Sequence, residues 1–240
     1  ALCMDKAAFK NYVGAPGIGL PVTPGVNLEF LSEDRGGELD AACAQVLDKV
    51  GLPCFVKPAN QGSSVGVSKV EHADDLRNAL SLAAGYDPRV VVERSIDNAR
   101  EIELAVLGNG GPETRVSGAG EIGLPPGQWY DYDAKYENDV ATLTIPAAVE
   151  AEQLTKLQEI AVRAFRAVGC RGLARVDFLV DRETGEAYLN EVNTMPGFTT
   201  ISMYPKLMGE AGVPYDELIA QLCALGQAHH DSRKELRSDR

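Results

Sequence analysis

The sequence predicts an α+β protein built as two lobes, and three observations carry that prediction. Segments with helical spacing and segments with strand-like alternation succeed one another in two blocks, roughly 1–93 and 94–230. Several strand segments are separated by connections of hairpin length, so the sheets are expected to be antiparallel or mixed. A chain of 240 residues with 45% apolar and 24% charged residues has material for one large domain or two modest ones. It is not the composition of a disordered, collagen-like or coiled-coil chain. The natural ligand site of such an arrangement is the cleft between the lobes.

In the first block Asp5 opens a helix over 5–13, and Gly17 to Pro24 is a turn-rich connector. Ala41, Ala42, Val46, Leu47 and Val50 recur at helical spacing over 38–50, with Gly51 as the stop. Cys54-Phe55-Val56-Lys57 reads as a short strand ahead of Pro58, Asn60 to Ser64 as a loop, and 65–70 as the returning strand. A helix over 73–84 and a buried strand at 90–92 complete the block. Ser95 to Arg100 is polar and aperiodic, a linker. In the second block, strands are expected at 101–107 and 114–122. Residues 123–139 are rich in Gly, Pro, Tyr and Asp without a repeat, which in so long a stretch usually marks function or disorder. Residues 150–168 carry an apolar helical face, strands at 172–180 and 186–192 flank the turn 181–185, and two helices near 202–211 and 214–226 follow. Residues 231–240 are charged and expected to fray.

Composition excludes several functions. Lys plus Arg number 23 against 35 Asp plus Glu, a net charge of −12, which argues against nucleic acid as a partner. A polyanion such as ATP would then need local positive charge or a bound metal. No run of about 20 apolar residues offers a membrane span. The five cysteines are odd in number, irregularly spaced and without a C-x-x-C pair, so neither a disulfide framework nor a structural zinc site is expected, and a reducing cytoplasm is the simplest setting. Cys54 and Cys170 sit among apolar residues and read as core. Only His72, His229 and His230 exist, too few for a Ser-His-Asp triad or a His-rich metal site. Chemistry here has to come from Lys, Arg and carboxylates.

Five constellations supply that chemistry. With the turn near Thr184, Asp177 and Glu191 fall opposite each other, and alternation puts Asn193 on the face of Glu191. Opposed like charges destabilise a sheet. Two acids and an amide suit Mg²⁺, which would offset the repulsion; the plainer alternative is a pair of solvated surface acids. Asp177 lies in the apolar run 176–180, which weakens that alternative. The loop Gly62-Ser63-Ser64-Val65-Gly66 can bring backbone N–H groups to a phosphate or can be a flexible hairpin. It lacks the G-K-[ST] ending of a P-loop and fits no Rossmann site. Lys57, at the end of the strand before it, favours phosphate. Arg175, two residues before Asp177, either contacts phosphate or a developing oxyanion or simply pairs with Asp177. Gly197, in the stretch Asn193 to Thr200, either donates its N–H to an oxyanion or is a turn before a helix. Tyr130 to Tyr136 either covers a cleft or is surface.

These residues in this order resemble the ATP-grasp superfamily, and within it the D-alanine–D-alanine ligases. The resemblance rests on Met4-Asp5-Lys6, Phe55-Val56-Lys57-Pro58, Gly62-Ser63-Ser64-Val65-Gly66, Glu93, Arg100-Glu101-Ile102-Glu103, Tyr132 to Tyr136, Arg175-Val176-Asp177 and Glu191 to Gly197. It implies the ATP-grasp fold, with a central lobe over 1–93, a C-terminal lobe over 94–230 and a flexible tail over 231–240. It also implies an N-terminal domain that these 240 residues do not include. That domain helps bind the first D-alanine, so the chain as given is expected to bind ATP better than it makes dipeptide.

The resemblance assigns roles as well. Lys6 and Lys57 would hold ATP phosphates under a loop containing Ser63, Ser64 and Val65, while Glu93, Ser95, Ile96 and Glu101 would take adenine and ribose. Asp177, Glu191 and Asn193 would hold two Mg²⁺ ions, with Mn²⁺ as a substitute. Lys135 would contact the transferred phosphoryl group, and Arg175 with the Gly197 N–H would stabilise the tetrahedral intermediate. Ser202 and Met203 would contact the second D-alanine, and Ser63 with Tyr136 would tie two loops together over the site. Tyr136 favours an amine over D-lactate as nucleophile. The implied product is D-alanyl-D-alanine for peptidoglycan, made in the cytoplasm by a homodimer through an acyl phosphate. The alternatives are an ATP-binding fragment without turnover and a ligase for another amino acid.

Overall fold

A computed structural model describes residues 1–31, 36–123, 142–199 and 201–234. Two compact units emerge, one holding Ala1–Ala99 and the other holding Arg100–Gly123 with the chain from Leu143 onward.

The first unit follows a short 3-10 turn at Leu2–Met4 with α1 (Lys6–Gly14), β1 (Gly25–Glu29), α2 (Gly36–Lys49), β2 (Cys54–Pro58), β3 (Ser68–Val70), α3 (Ala73–Tyr86) and β4 (Arg89–Arg94). Its sheet has the order β1-β4-β2-β3, and every pairing is antiparallel. Asp5 caps α1, its side chain accepting from the Ala8 N–H at 3.0 Å. On one face of the sheet, Cys54, Val56, Val90 and Val92 pack with Leu39, Ala42 and Val46 of α2 and with Leu76, Leu80 and Ala83 of α3. Burial of each valine or leucine among them contributes about 1.5–3 kcal/mol. On the other face Ala7 of α1 meets Val91 and Ala59. Strand alternation puts Phe55, Lys57 and Glu93 on that face too, since Lys57 is in register with Val91 and Phe55 with Glu93.

The second unit contains β5 (Arg100–Gly108), β6 (Arg115–Val116), β7 (Gly120–Gly123), β8 (Thr142–Thr144), α4 (Ala151–Ala167), β9 (Gly172–Val180), β10 (Ala187–Asn193), α5 (Met203–Glu210) and α6 (Tyr215–Lys234). Its strands run β10-β9-β5-β7-β8, with β6 paired to β5. The central strand β5 is buried along nearly its whole length. Leu157, Ala161, Ala164 and Phe165 are the buried stripe of α4, which packs over β5, β9 and β10. The Tyr204 hydroxyl of α5 donates to the Val106 carbonyl at 3.0 Å, fastening that helix to β5.

The α+β class and the antiparallel sheets agree with expectation. Several details differ. Gly25–Glu29 forms an edge strand where none was expected, because only Leu28 of its five residues is fully buried and the apolar alternation is faint. The returning strand begins at Ser68 rather than 65, since Ser63 to Gly66 form a turn. Residues 114–122 hold two short strands, broken where the Ser117 hydroxyl donates to the Gly118 carbonyl and accepts from the Ala105 N–H. The last helix continues past 226 to Lys234, its charged final turns held by Gln227 and Lys234 side chains on Asp231.

Candidate functional site

Two clusters of charge form, one in each unit. In the first, Glu93 is 4% exposed and is ion-paired with two lysines. Its Oε2 lies 2.6 Å from Lys57 Nζ and its Oε1 lies 2.7 Å from Lys10 Nζ. Burial pushes the Glu93 carboxyl up, but the two ammonium groups outweigh it and hold the pKa near 2. Lys10 was not singled out from the sequence. Its place becomes legible only once α1 is known to cross the Glu93 face of the sheet, where Lys6 and Lys10 are one turn apart. Lys57 and Glu93, expected to serve different parts of a nucleotide, are here each other's ion-pair partners.

Lys6 donates to the Pro58 carbonyl at 3.4 Å and also to the Gln61 carbonyl, so its ammonium sits at the entrance to the Gly62–Gly66 loop. That loop is built under strain. Ser63 and Ser64 have φ of 52° and 60°, and Gly66 has 70°. A Cβ at Gly66 would lie 2.6 Å from the Tyr86 ring and 2.9 Å from Pro58 Cγ, so only glycine fits. The turn closes on itself, with the Val65 N–H donating to the Gly62 carbonyl at 3.1 Å and the Val67 N–H to the Ser64 carbonyl at 3.2 Å. Past β4, the Ser95 N–H donates to the Pro53 carbonyl at 2.9 Å, and Ile96 is half-buried.

In the second unit the β9–β10 hairpin brings its acids together in the expected register. Glu191 is opposite Asp177 and Asn193 opposite Arg175, with a bulge at Asn190. Asn193 Nδ2 bridges the two acids, 2.9 Å from Asp177 Oδ2 and 3.1 Å from Glu191 Oε1. Arg175 grips Asp177 with two bonds, Nε to Oδ1 at 2.8 Å and Nη2 to Oδ2 at 2.7 Å. The pairing with Asp177 is thus present, and it leaves the Nη1 edge of the guanidinium uncommitted to that acid.

A third acid, missed in the sequence, flanks the pair. Glu103 of β5 is in register with Asp177, so Glu103, Asp177 and Glu191 form a row across three strands. Glu101 is two residues earlier on the same strand face, in register with Leu179. Burial, and then the Asp177 charge, push the Glu103 carboxyl well above its ordinary value, with Arg175 opposing. Asp177 is raised as well, chiefly by burial, with Arg175 pulling down and Glu191 pushing up. Arg175 is held protonated by Asp177 and Glu103 despite its own burial.

The donor set suits a hard divalent cation. Three buried or half-buried carboxylates face one guanidinium, and Glu103 Oε2 is buried without a hydrogen bond. Among the described residues no group of three or more His, Cys, Asp or Glu closes a metal cage. Two carboxylates and an amide instead leave positions for phosphate oxygens and water, as Mg²⁺ prefers.

After β10, a Cβ at Gly197 would lie 2.8 Å from Ser202 Oγ. That hydroxyl also accepts from the Thr199 N–H at 3.1 Å, so Ser202 knits the turn ahead of α5. The Met203 side chain, at the start of α5, is buried, and Gly120 has no room for a Cβ beside its sulfur. Lys135 and Tyr136 lie outside the described residues. No helix among the described residues is long and apolar enough to cross a membrane.

Comparison with known proteins matches residues 16–224 to the family described as D-ala D-ala ligase C-terminus. The D-alanine–D-alanine ligase of Heliobacterium modesticaldum is 50% identical over 237 residues, spanning 99% of this chain and 63% of the relative. That of Thermoanaerobacter sp. strain X514 is 46% identical over 237 residues, spanning 97% of this chain and 62% of the relative. Among solved structures, the VanG D-Ala:D-Ser ligase from Enterococcus faecalis superposes with a TM-score of 0.80 at 36% identity, covering 94% of this chain and 62% of that one. The D-alanine–D-alanine ligase from Coxiella burnetii gives 0.79 at 33% identity, covering 98% and 60%. This chain therefore spans about three fifths of the length of these relatives.

Proposed function

The chain belongs to the D-ala D-ala ligase C-terminal family, and from that premise we propose that it carries the nucleotide and metal machinery of an ATP-dependent ligase that joins two D-alanines. The observation that supports this most is the opposed pair Asp177 and Glu191 bridged by Asn193, a set of oxygen donors whose repulsion, with Glu103 alongside in the same row, a divalent cation would offset.

In this reading the carboxylate of the first D-alanine attacks the γ-phosphorus of ATP, giving an acyl phosphate and ADP. The amine of the second D-alanine then attacks the acyl carbon, and inorganic phosphate leaves with the C–O electron pair. Lys6 and Lys57 hold phosphate oxygens beside the Ser63–Val65 loop, with Lys57 exchanging Glu93 for phosphate while Lys10 stays on Glu93. Glu101, Ser95 and Ile96 take ribose and adenine. Asp177, Glu191 and Asn193 hold Mg²⁺, as a pair of ions with Mn²⁺ as a substitute, which neutralises charge on the phosphates. Arg175 and the Gly197 N–H stabilise the tetrahedral oxyanion, the Ser202 and Met203 turn receives the second D-alanine, and Lys135 and Tyr136 belong to the covering loop. No histidine is required. Homodimeric assembly, a cytoplasmic setting and a place in peptidoglycan precursor synthesis complete the reading.

One observation favours a second acceptor. The structurally similar VanG protein is a D-Ala:D-Ser ligase, so D-serine belongs beside D-alanine in any assay. ADP release from Mg²⁺-ATP is measured with D-alanine alone and then with D-serine or D-lactate added. Release that requires D-alanine is the expected result. Thermal stabilisation by ATP with no amino-acid-dependent release would instead identify a binding module without turnover.

A further inference from the structure

Arg175 is shared between two carboxylates that are not equivalent. On Asp177, Oδ1 accepts from Arg175 Nε, while Oδ2 accepts from both Arg175 Nη2 and Asn193 Nδ2. A carboxylate offers about four lone-pair sites, and three on Asp177 are engaged. Glu103 approaches the same Nε, with Oε2 3.0 Å from it. Nε carries one proton, which is directed at Asp177, so this Glu103 oxygen is close to the donor yet accepts no hydrogen bond. It is also 4% exposed, so water has little access to it.

We propose that Glu103 is a positioning residue, the second counter-ion onto which Arg175 shifts when a divalent cation takes the carboxylate of Asp177; this rests on the reading of Asp177, Glu191 and Asn193 as cation donors. Because about one lone-pair site of Asp177 is open, a cation that engages both of its oxygens must displace at least one Arg175 N–H. A guanidinium left unpaired in a buried site is costly. Because Glu103 Oε2 is already 3.0 Å from Nε, a turn of the guanidinium plane about the Cδ–Nε bond redirects the Nε–H from Asp177 to Glu103. The guanidinium remains paired and stays beside the site where the oxyanion is expected to form. Glu103 touches neither substrate nor the reacting atoms; it acts through Arg175.

The test uses this chain and Mn²⁺ alone, with dissociation constants from EPR or water-proton relaxation and folding checked by circular dichroism. Glu103→Gln is expected to weaken Mn²⁺ about tenfold or more when Arg175 is present, and less than threefold in an Arg175→Gln background. Glu103→Asp keeps the charge but shortens the reach, and is expected to follow Glu103→Gln. Should Glu103→Gln not fold, Glu103→Asp in the two Arg175 backgrounds decides. Equal losses in both backgrounds, or a Glu103→Asp protein that binds like the parent, would mean that Glu103 acts only by its charge and overturns the inference. Asp177→Asn and Glu191→Gln separate the premise. If neither weakens Mn²⁺, the cation site itself is wrong; if both do while the Glu103 variants do not, only the role of Glu103 fails.

Discussion

Glu93 is almost completely shielded from water, yet it is the acid most firmly held ionised, because Lys10 and Lys57 each give it an ammonium group. Its pKa falls from 4.5 to about 2 against the upward push of burial. The native state therefore binds a proton less readily than the unfolded chain does. That stabilisation is fully present above pH 4.5 and is lost as the pH falls toward 2. A displacement of this size corresponds to about 3 kcal/mol. The thermal midpoint of the parent is thus expected to drop more steeply between pH 4.5 and 2 than that of Glu93→Gln, which carries no such proton. Parallel curves in melts across that range would refute the assignment. The variant should also be less stable at neutral pH, because two lysines then share a buried site without a counter-charge.

At the scale of elements, the Gly62–Gly66 loop shows what sequence could and could not disclose. Small residues between two strands mark a turn, and that much is legible. The left-handed conformation at Ser63 and Ser64 is not, since serine carries no preference for φ near 52° or 60°. Each such residue costs on the order of 1–3 kcal/mol, a cost the surrounding structure must over-determine. Gly66 is part of that surrounding structure, wedged against Tyr86 and Pro58. The Tyr86 ring is half-exposed and can swing aside, but Pro58 belongs to β2 and cannot. Gly66→Ala is accordingly expected to destabilise by about 1–3 kcal/mol through φ strain and contact, read from the urea midpoint, and to weaken ATP more than it weakens Mn²⁺. A variant as stable as the parent would show that the loop is not held where it is seen. The hairpin β9–β10 is the opposite case. Its turn at 181–185 is local, so the pairing of the two strands is legible by counting, although the register beside the turn would set Asn190 opposite Asp177 and it is the bulge at Asn190 that brings Glu191 there. Glu103 reaches the same row from β5, more than 70 positions before Asp177 in the chain, and no counting rule sets a register across that gap.

At the scale of the whole molecule, net charge and local charge point in different directions. A chain at −12 repels nucleotides on average, so affinity for a polyanion has to come from particular places. The structure concentrates them by unit. Lys6, Lys10 and Lys57 lie in the first, and the acids Glu103, Asp177 and Glu191 lie in the second. Each unit should then answer to its own ligand. Mg²⁺ alone should slow amide hydrogen exchange in β9 and β10 and leave the Gly62–Gly66 loop and β2 unchanged, because binding raises the opening free energy only of the segments that hold the ion. ATP without metal should protect the loop and β2, and leave the hairpin unprotected or slightly more open, since it adds negative charge and no counter-ion for the acids. ATP with Mg²⁺ should protect both sets beyond the sum of the separate effects, because phosphate oxygens complete the shell of a cation that two carboxylates and an amide cannot fill. Peptide-resolved exchange under the four conditions reads all of this in one protein. Protection of β2 by Mg²⁺ alone would place the cation on the Glu93 cluster and overturn the division of labour between the two units.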